Sequence, residues 1–101
     1  MVAHPDGTIA VNTTGNPAMA KGGSGDILTG IVAACVAQHT DNVRDAVNAA
    51  VYLHGLAADF AAHRMEQHTV LATDTVAHLS DAFRYRTRDT NGAEWICGVR
   101  I

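Results

Sequence analysis

The chain has 101 residues, of which 48% are hydrophobic and 17% are charged, and its formal net charge is −3. This length bounds it to one small domain. Because the net charge is negative and the sequence has no basic cluster, it does not indicate a nucleic-acid or anionic-membrane surface. The longest apolar run, around Ile31 to Ala37, is too short to span a bilayer. Cys35 and Cys97 form no CxxC pair, so a cytoplasmic protein is the default expectation.

The N-terminal segment predicts a β-hairpin followed by a polar loop. Pro5-Asp6-Gly7 is a turn signal, and the β-branched residues of Thr8 to Asn12 favour a strand after it. The loop runs from Thr13 to Lys21, and Gly15 and Asn16-Pro17 interrupt regular structure within it.

Three helices are predicted after this loop. The first, residues 25–38, is apolar around nearly its whole circumference, so we expect it to be the most buried. Close packing would explain Gly30 inside it. The second, residues 42–63, carries alanine and valine along one face. The third, residues 74–85, is expected to begin after an N-cap at Thr73.

Polar residues also occur on the second predicted helix. His54 falls in the middle of the apolar face and is expected to be a buried, hydrogen-bonded histidine. Asp59 and His63 are four residues apart, as two metal ligands on a helix would be. No third ligand of suitable spacing is visible in the sequence, which favours a simple pair on the helix surface.

The strongest functional signal is the glycine-rich turn Gly22-Gly23-Ser24-Gly25-Asp26. A turn of this kind that opens a helix presents unpaired N–H groups and the positive end of the helix dipole, which together favour a phosphate. Asp26 is unusual there, because its charge would repel a phosphate unless it faces the reacting group or a metal. The residues alone equally allow Ser24 to be an N-cap and Asp26 a first-turn carboxylate. Lys21 either lies near a phosphate or is solvated, and we favour solvation.

The wider string from Thr14 to Ile31 resembles the signature of the NAD(P)H-hydrate dehydratases, which belong to the ribokinase-like superfamily. A second string, Val51 to Asp59, also matches that family. The resemblance covers residues 1–86 and implies an α/β fold, the C-terminal part of a ribokinase-like domain with a short hairpin and three helices. Residues 87–101 form an unassigned tail, in which Asn91-Gly92 predicts a turn.

The resemblance also implies a reaction and assigns residues to it. Hydrated NADH or NADPH would lose water at the expense of ADP or ATP, through a phosphorylated intermediate. Asp26 would be the catalytic base and would contact the substrate together with Asn16. The nucleotide and its phosphates would be bound by Gly22, Gly23, Ser24 and Gly25. Mg²⁺ usually accompanies such transfers. The sequence shows no ligand cluster for it, so the nucleotide and residues outside this chain would hold it.

Two alternatives stay open at this point. A ribokinase-like small-molecule kinase would use a similar turn and aspartate, although the Gly15 to Ala20 lead-in favours the dehydratase. Domains of the family are much longer than this chain. We therefore expect a C-terminal fragment with an exposed apolar face, which would form a homo-oligomer or need a partner that supplies the N-terminal part. An inactive remnant, or an interaction module of a split protein, is the non-enzymatic alternative.

Overall fold

The computed structural model describes the backbone of residues 1–87, 95–96 and 99–100, and the side chains of residues 1–85. Its strands and helices are, in chain order, β1 (Val2–Ala3), β2 (Ile9–Ala10), α1 (Ser24–Gln38), α2 (Val43–Arg64), α3 (Ala72–Ala77), α4 (Leu79–Thr87), β3 (Trp95–Ile96) and β4 (Val99–Arg100). Single 3₁₀ turns occur at Pro17–Met19 and Gln67–Thr69. None of the helices in the described part combines the length and apolar character needed to cross a bilayer.

The predicted N-terminal hairpin is present, with shorter strands than expected. β1 and β2 are antiparallel, with Val2 opposite Ala10 and Ala3 opposite Ile9. Gly7 adopts a φ of +88°, which glycine tolerates because it has no Cβ. The turn signal therefore predicts the reversal correctly, while only two residues of the predicted strand pair.

Polar contacts attach this hairpin to the first half of α2. His4 Nε2 lies 3.0 Å from Asn48 Oδ1. The Arg44 guanidinium forms an ion pair with Asp6 at 2.6 Å and also donates to the Thr8 hydroxyl. Hydrogen bonds from Thr8, together with Arg44, hold the pKa of the Asp6 carboxyl well below its usual range. The hairpin is therefore fixed by side chains rather than by a larger sheet.

The most buried helix is α2, which packs against α1, α3 and α4. Its buried residues are Ala46, Ala49, Ala50, Leu53, His54, Gly55, Ala57, Ala58 and Ala61. Small side chains let neighbouring backbones approach closely, and the fully enclosed Leu53 contributes about 2 kcal/mol of apolar burial. Cys35 of α1 and Ala82 of α4 complete this core.

The expectation that α1 is the most buried helix is wrong. Only Cys35 of α1 is buried, and Ile31, Val32 and Val36 pack partly against the core. The opposite side is exposed and consists of small apolar residues, Gly30, Ala33, Ala34 and Ala37. An apolar circumference leads to full burial only when neighbours cover every side, and the described residues cover one side.

The expected close packing at Gly30 is also absent from the described part. A Cβ built there would meet no atom within 4 Å.

The predicted third helix is two helices, α3 and α4, separated at His78. α3 begins earlier than expected, because the Asp74 carboxylate accepts a hydrogen bond from the Leu71 N–H at 2.8 Å. Thr73 therefore lies inside α3 and is not its N-cap, which is Leu71. At the interruption, the Asp74 carbonyl oxygen accepts from the His78 N–H at 3.2 Å and also lies 2.8 Å from His78 Nδ1, so the side chain shares a helical acceptor.

Residues 95–96 and 99–100 form a second pair of strands. β3 and β4 are antiparallel, with Trp95 opposite Arg100 and Ile96 opposite Val99. The turn predicted at Asn91-Gly92 lies outside the described residues. The division at residues 86 and 87 stays a prediction.

Candidate functional site

The glycine-rich turn forms the start of α1 without a side-chain cap. Gly23 is the N-cap, with a φ of +92°, and no side chain hydrogen bonds to the helix end. Positive φ is costly for residues other than glycine, so the sequence places a glycine where the backbone needs one. Ser24 is the first helical residue, so its interpretation as the N-cap is wrong.

Unpaired donors and a carboxylate share this helix end. The Ser24 N–H donates to the Lys21 carbonyl at 3.3 Å, and the Ile27 N–H donates to the Gly23 carbonyl at 3.0 Å. Between them, the N–H groups of Gly25 and Asp26 have no backbone acceptor in the described part of the chain. The Asp26 side chain is exposed, and none of the described residues hydrogen bonds to it. The helix start is therefore open to an anionic ligand beside a free carboxylate.

Contacts from the α2–α3 connection support the turn. Lys21 Nζ donates to the carbonyl oxygens of His68 at 2.9 Å and Gln67 at 3.4 Å. A Cβ on Gly23 would lie 3.4 Å from the Ala72 Cβ, so the turn also sits close to the start of α3. Lys21 thus holds two backbone segments together, and the prediction that it is simply solvated is wrong.

The loop before the turn is held by Asp59 of α2. One carboxylate oxygen, Oδ2, accepts from the Gly15 N–H at 3.0 Å, and Oδ1 accepts from Asn16 Nδ2 at 2.8 Å. Asn16 Oδ1 in turn accepts from the Ala18 N–H at 2.9 Å and caps the first 3₁₀ turn. The predicted surface pair of Asp59 with His63 is therefore wrong, because the carboxylate is directed to the loop.

A second contact between the loop and α2 depends on Gly55. The Thr14 hydroxyl donates to the Tyr52 carbonyl at 2.8 Å. A Cβ on Gly55 would lie 2.8 Å from the Thr14 carbonyl carbon and would overlap the Thr14 hydroxyl. Only glycine permits this approach. The two sequence strings that share the family resemblance are therefore in direct contact.

Comparison with known proteins adds an independent observation to this geometry. The family model described as NAD(P)H-hydrate dehydratase matches residues 1–81, most of the chain. The chain belongs to the NAD(P)H-hydrate dehydratase family. The expected α/β class, the C-terminal part of a ribokinase-like domain, is confirmed, with the hairpin preceding the helices as predicted.

Curated relatives of this dehydratase-family chain are considerably longer. The bifunctional NAD(P)H-hydrate repair enzyme Nnr of Moorella thermoacetica is 43% identical over 86 residues, 83% of this chain and 16% of the relative. The ADP-dependent (S)-NAD(P)H-hydrate dehydratase of Bacillus subtilis is 46% identical over 72 residues, 71% of this chain and 26% of the relative. The chain thus spans about a sixth to a quarter of the length of these relatives. No solved structure matches.

Most of the predicted site residues of this dehydratase-family chain are consecutive and lie at one helix end. Gly22, Gly23, Ser24, Gly25 and Asp26 form the open helix start, while Asn16 lies in the loop before it and uses both ends of its amide internally. Sequence reasoning missed the part played by Asp59. Its position at the end of the second family-like string was the signal that could have found it. Within residues 1–85, no three His, Cys, Asp or Glu side chains lie together as a metal site.

The buried histidine of α2 gives a pH-dependence prediction. His54 is 5% exposed, as expected, but none of the described residues hydrogen bonds to its imidazole ring. Burial lowers the pKa of His54 from its usual 6.5, because an imidazolium loses hydration in the core. The unfolded chain therefore binds the proton more readily. We therefore expect His54 to lower the free energy of unfolding as the pH falls through 6.5. Above that pH, His54 should cause no such loss.

Denaturant unfolding at several pH values tests this expectation. His54→Gln should show a smaller loss of stability between neutral and acidic pH than the wild type. His63→Gln, on the exposed end of the same helix, is the matched control and should keep the wild-type slope. Equal slopes in the wild type and His54→Gln would contradict a buried histidine that resists protonation.

Proposed function

We propose that this chain supplies the phosphoryl-transfer end of an ADP- or ATP-dependent NAD(P)H-hydrate dehydratase, a lyase that repairs hydrated NADH or NADPH. The observation that carries the proposal is the open start of α1, where unpaired N–H groups of Gly25 and Asp26 adjoin the free Asp26 carboxylate. Family membership supports it, since residues 1–81 match the dehydratase model. A relative from Bacillus subtilis carries the name ADP-dependent (S)-NAD(P)H-hydrate dehydratase.

Asp26 is proposed as the general base. The hydroxyl of the hydrated nicotinamide ring is a weak nucleophile until its proton is removed, and an exposed carboxylate without internal partners is available to accept it. The hydroxyl oxygen then bonds to the terminal phosphorus of the nucleotide, while the bond from that phosphorus to its bridging oxygen breaks and releases ADP from ATP or AMP from ADP. Loss of inorganic phosphate and a ring proton restores the double bond of NADH or NADPH.

The turn is proposed to bind the transferring group. The N–H groups of Gly25 and Asp26 lack internal acceptors, and the helix dipole adds positive potential, so a phosphoryl group gains hydrogen bonds there without displacing protein contacts. Gly22, Gly23, Ser24 and Gly25 bring this backbone close to the nucleotide because they carry little or no side chain. Asn16 is proposed to contact the hydrate from the adjoining loop. Its side-chain amide keeps one N–H donor and one oxygen lone pair that the hydrogen bonds with Asp59 and Ala18 do not use.

Mg²⁺ is proposed to accompany the nucleotide and to be bound chiefly by its phosphate oxygens. Among the described side chains, no three His, Cys, Asp or Glu residues lie together as a site for it. The role of this chain is therefore to place donors and a base beside the phosphates, and no step is assigned to a protein-bound metal.

A second polypeptide segment is proposed to complete the active form, either from a further copy of the chain or from a partner that supplies the N-terminal part. The small apolar residues exposed on α1, Gly30, Ala33, Ala34 and Ala37, form a face that such a segment would cover. The length of the curated relatives supports this arrangement. We place the activity in the cytoplasm, where these nucleotides are used.

Turnover by the native assembly tests the proposal; by native assembly we mean the chain with whatever copurifies with it from its own cells. Hydrated NADPH or NADH is supplied with ADP or ATP and Mg²⁺, and the return of reduced-nicotinamide absorbance is followed. We expect nucleotide-dependent return of that absorbance and no phosphorylation of simple sugar or vitamin alcohols. Phosphorylation of such alcohols without dehydration would show a small-molecule kinase instead, and the absence of both reactions would overturn the enzymatic proposal.

A further inference from the structure

The segment Asn12 to Asn16, here called the docking loop, lies against α2 through contacts that nothing in the reaction itself explains. Asn12 Nδ2 donates to the Thr14 carbonyl at 3.1 Å, which folds the loop on itself. Thr14 then donates to the Tyr52 carbonyl, and Gly15 and Asn16 both donate to Asp59. A single carboxylate therefore receives one backbone and one side-chain donor from adjacent loop residues.

A continuous set of backbone hydrogen bonds connects this loop to the glycine-rich turn. The Met19 N–H donates to the Asn16 carbonyl at 3.1 Å, and the Lys21 N–H donates to the Met19 carbonyl at 2.8 Å. The Ser24 N–H donates to the Lys21 carbonyl, which leads directly into α1. Ala18, within this stretch, is buried against Ala61 and Val70. Displacement of the docking loop would therefore be transmitted to the placement of Asn16 and, more weakly, to the turn.

We propose that Asp59 is a positioning residue for the hydrate: by accepting hydrogen bonds from Gly15 and Asn16, it fixes Asn16 relative to Asp26. This inference rests on the proposed function of the glycine-rich turn. Asp59 does not touch the turn in this structure, and its two oxygens already have donors, so it acts through the loop. Charge-assisted hydrogen bonds of this kind are stronger than neutral ones, which suits a carboxylate at this position.

Asp59→Asn is the informative substitution. The amide has nearly the same shape, but only one of its ends accepts hydrogen bonds, so either the Gly15 N–H or the Asn16 amide faces another donor. Asp45→Asn is the matched control: Asp45 is also on α2 and half-buried, and it accepts one hydrogen bond, from Asn42 Nδ2 at 3.0 Å, away from the loop. Both variants remove one negative charge from the same helix.

The experiment measures hydrate kcat/KM, affinity for a non-hydrolysable adenine nucleotide and hydrogen exchange at Gly15, all on the native assembly. We expect Asp59→Asn to lower hydrate kcat/KM about 10- to 100-fold, mostly through KM, because misplacement of a positioning group by about 1 Å has effects of this size. Nucleotide affinity should change less than threefold, since the N–H groups at the start of α1 are untouched. Gly15 should exchange faster than in Asp45→Asn.

The outcomes distinguish failure of the positioning role of Asp59 from failure of the proposed dehydratase function. Wild-type assembly without hydrate turnover overturns the proposed function, and the positioning role falls with it. Normal wild-type turnover with equal hydrate kcat/KM in Asp59→Asn and Asp45→Asn overturns the positioning role alone. Unchanged exchange at Gly15 in Asp59→Asn shows that the carboxylate does not hold the loop, whatever the turnover. A lower melting temperature with unchanged kcat/KM per folded molecule would show that Asp59 is merely structural.

Discussion

Asp26→Asn is expected to lower turnover of the native assembly by about 10²- to 10⁴-fold, the range typical for loss of a general base. The amide keeps the shape of the side chain but does not accept the hydroxyl proton. Because none of the described residues hydrogen bonds to the Asp26 carboxylate, the substitution breaks no internal contact there. The N–H groups that open α1 remain in place, so nucleotide affinity should be retained, or should rise as a repulsion with phosphate is removed.

Turnover, nucleotide affinity and melting temperature should be measured on the same Asp26→Asn sample. A purely structural role for Asp26, through its charge near the helix dipole, predicts a stability loss of at most about 1 kcal/mol and unchanged turnover per folded molecule. Asp41→Asn, an exposed aspartate in the connection after α1, controls for net charge and should behave like the wild type. Full turnover with a lowered melting temperature in Asp26→Asn would end the catalytic assignment.

Gly55→Ala is expected to reduce the free energy of unfolding by about 3 kcal/mol, at the upper end of the usual cost of overpacking. The new methyl group would lie 2.8 Å from the Thr14 carbonyl carbon and 2.9 Å from the Thr14 Cβ. Since one of these atoms is backbone, rotation of a side chain does not relieve the overlap, and the docking loop must move away from α2. That movement also weakens the hydrogen bond from Thr14 to the Tyr52 carbonyl.

Denaturant unfolding measures this effect, and Gly30→Ala is its matched control. Both glycines lie inside helices, but a Cβ at Gly30 would meet no atom within 4 Å. Alanine there should raise stability by about 0.5–1 kcal/mol through helix propensity alone. Opposite signs are therefore expected from the same chemical change. Similar stability in the two variants would show that α2 and the docking loop are farther apart than described.

The sequence could predict those features that local residue chemistry determines. Pro5-Asp6-Gly7 marks the hairpin turn, and the boundaries of α1 and α2 agree with the predicted ranges to within a residue. The glycine-rich turn is recognisable because glycines that open an apolar helix indicate unpaired N–H groups at its start, and the structure adds that Gly23 has a positive φ. Its proposed chemistry follows from the same few positions, where donors and a carboxylate are adjacent in the chain.

Features determined by distant neighbours could not be read in this way. The burial of α1 depends on which sides other segments cover, and its apolar circumference carries no such information. Local residue chemistry assigns Asp59 to the helix surface, and only its position at the end of the second family-like string distinguishes it before the loop is folded beside it. Lys21 similarly donates to the backbone carbonyl groups of Gln67 and His68. Every residue has a backbone carbonyl, so the sequence does not indicate which ones Lys21 reaches.

The contacts of the docking loop with α2 also bear on how the site assembles. They join residues separated by 38, 43 and 44 positions, whereas the hydrogen bonds within α2 join residues four apart. Closing such a loop costs about 2 kcal/mol more in lost conformational entropy than closing a single helical turn. We therefore expect the loop to detach more readily than the helices unfold, and Asn16 to leave its place before they do, which faster hydrogen exchange at Gly15 than within α2 would show. Binding of the hydrate at Asn16 would then oppose this opening.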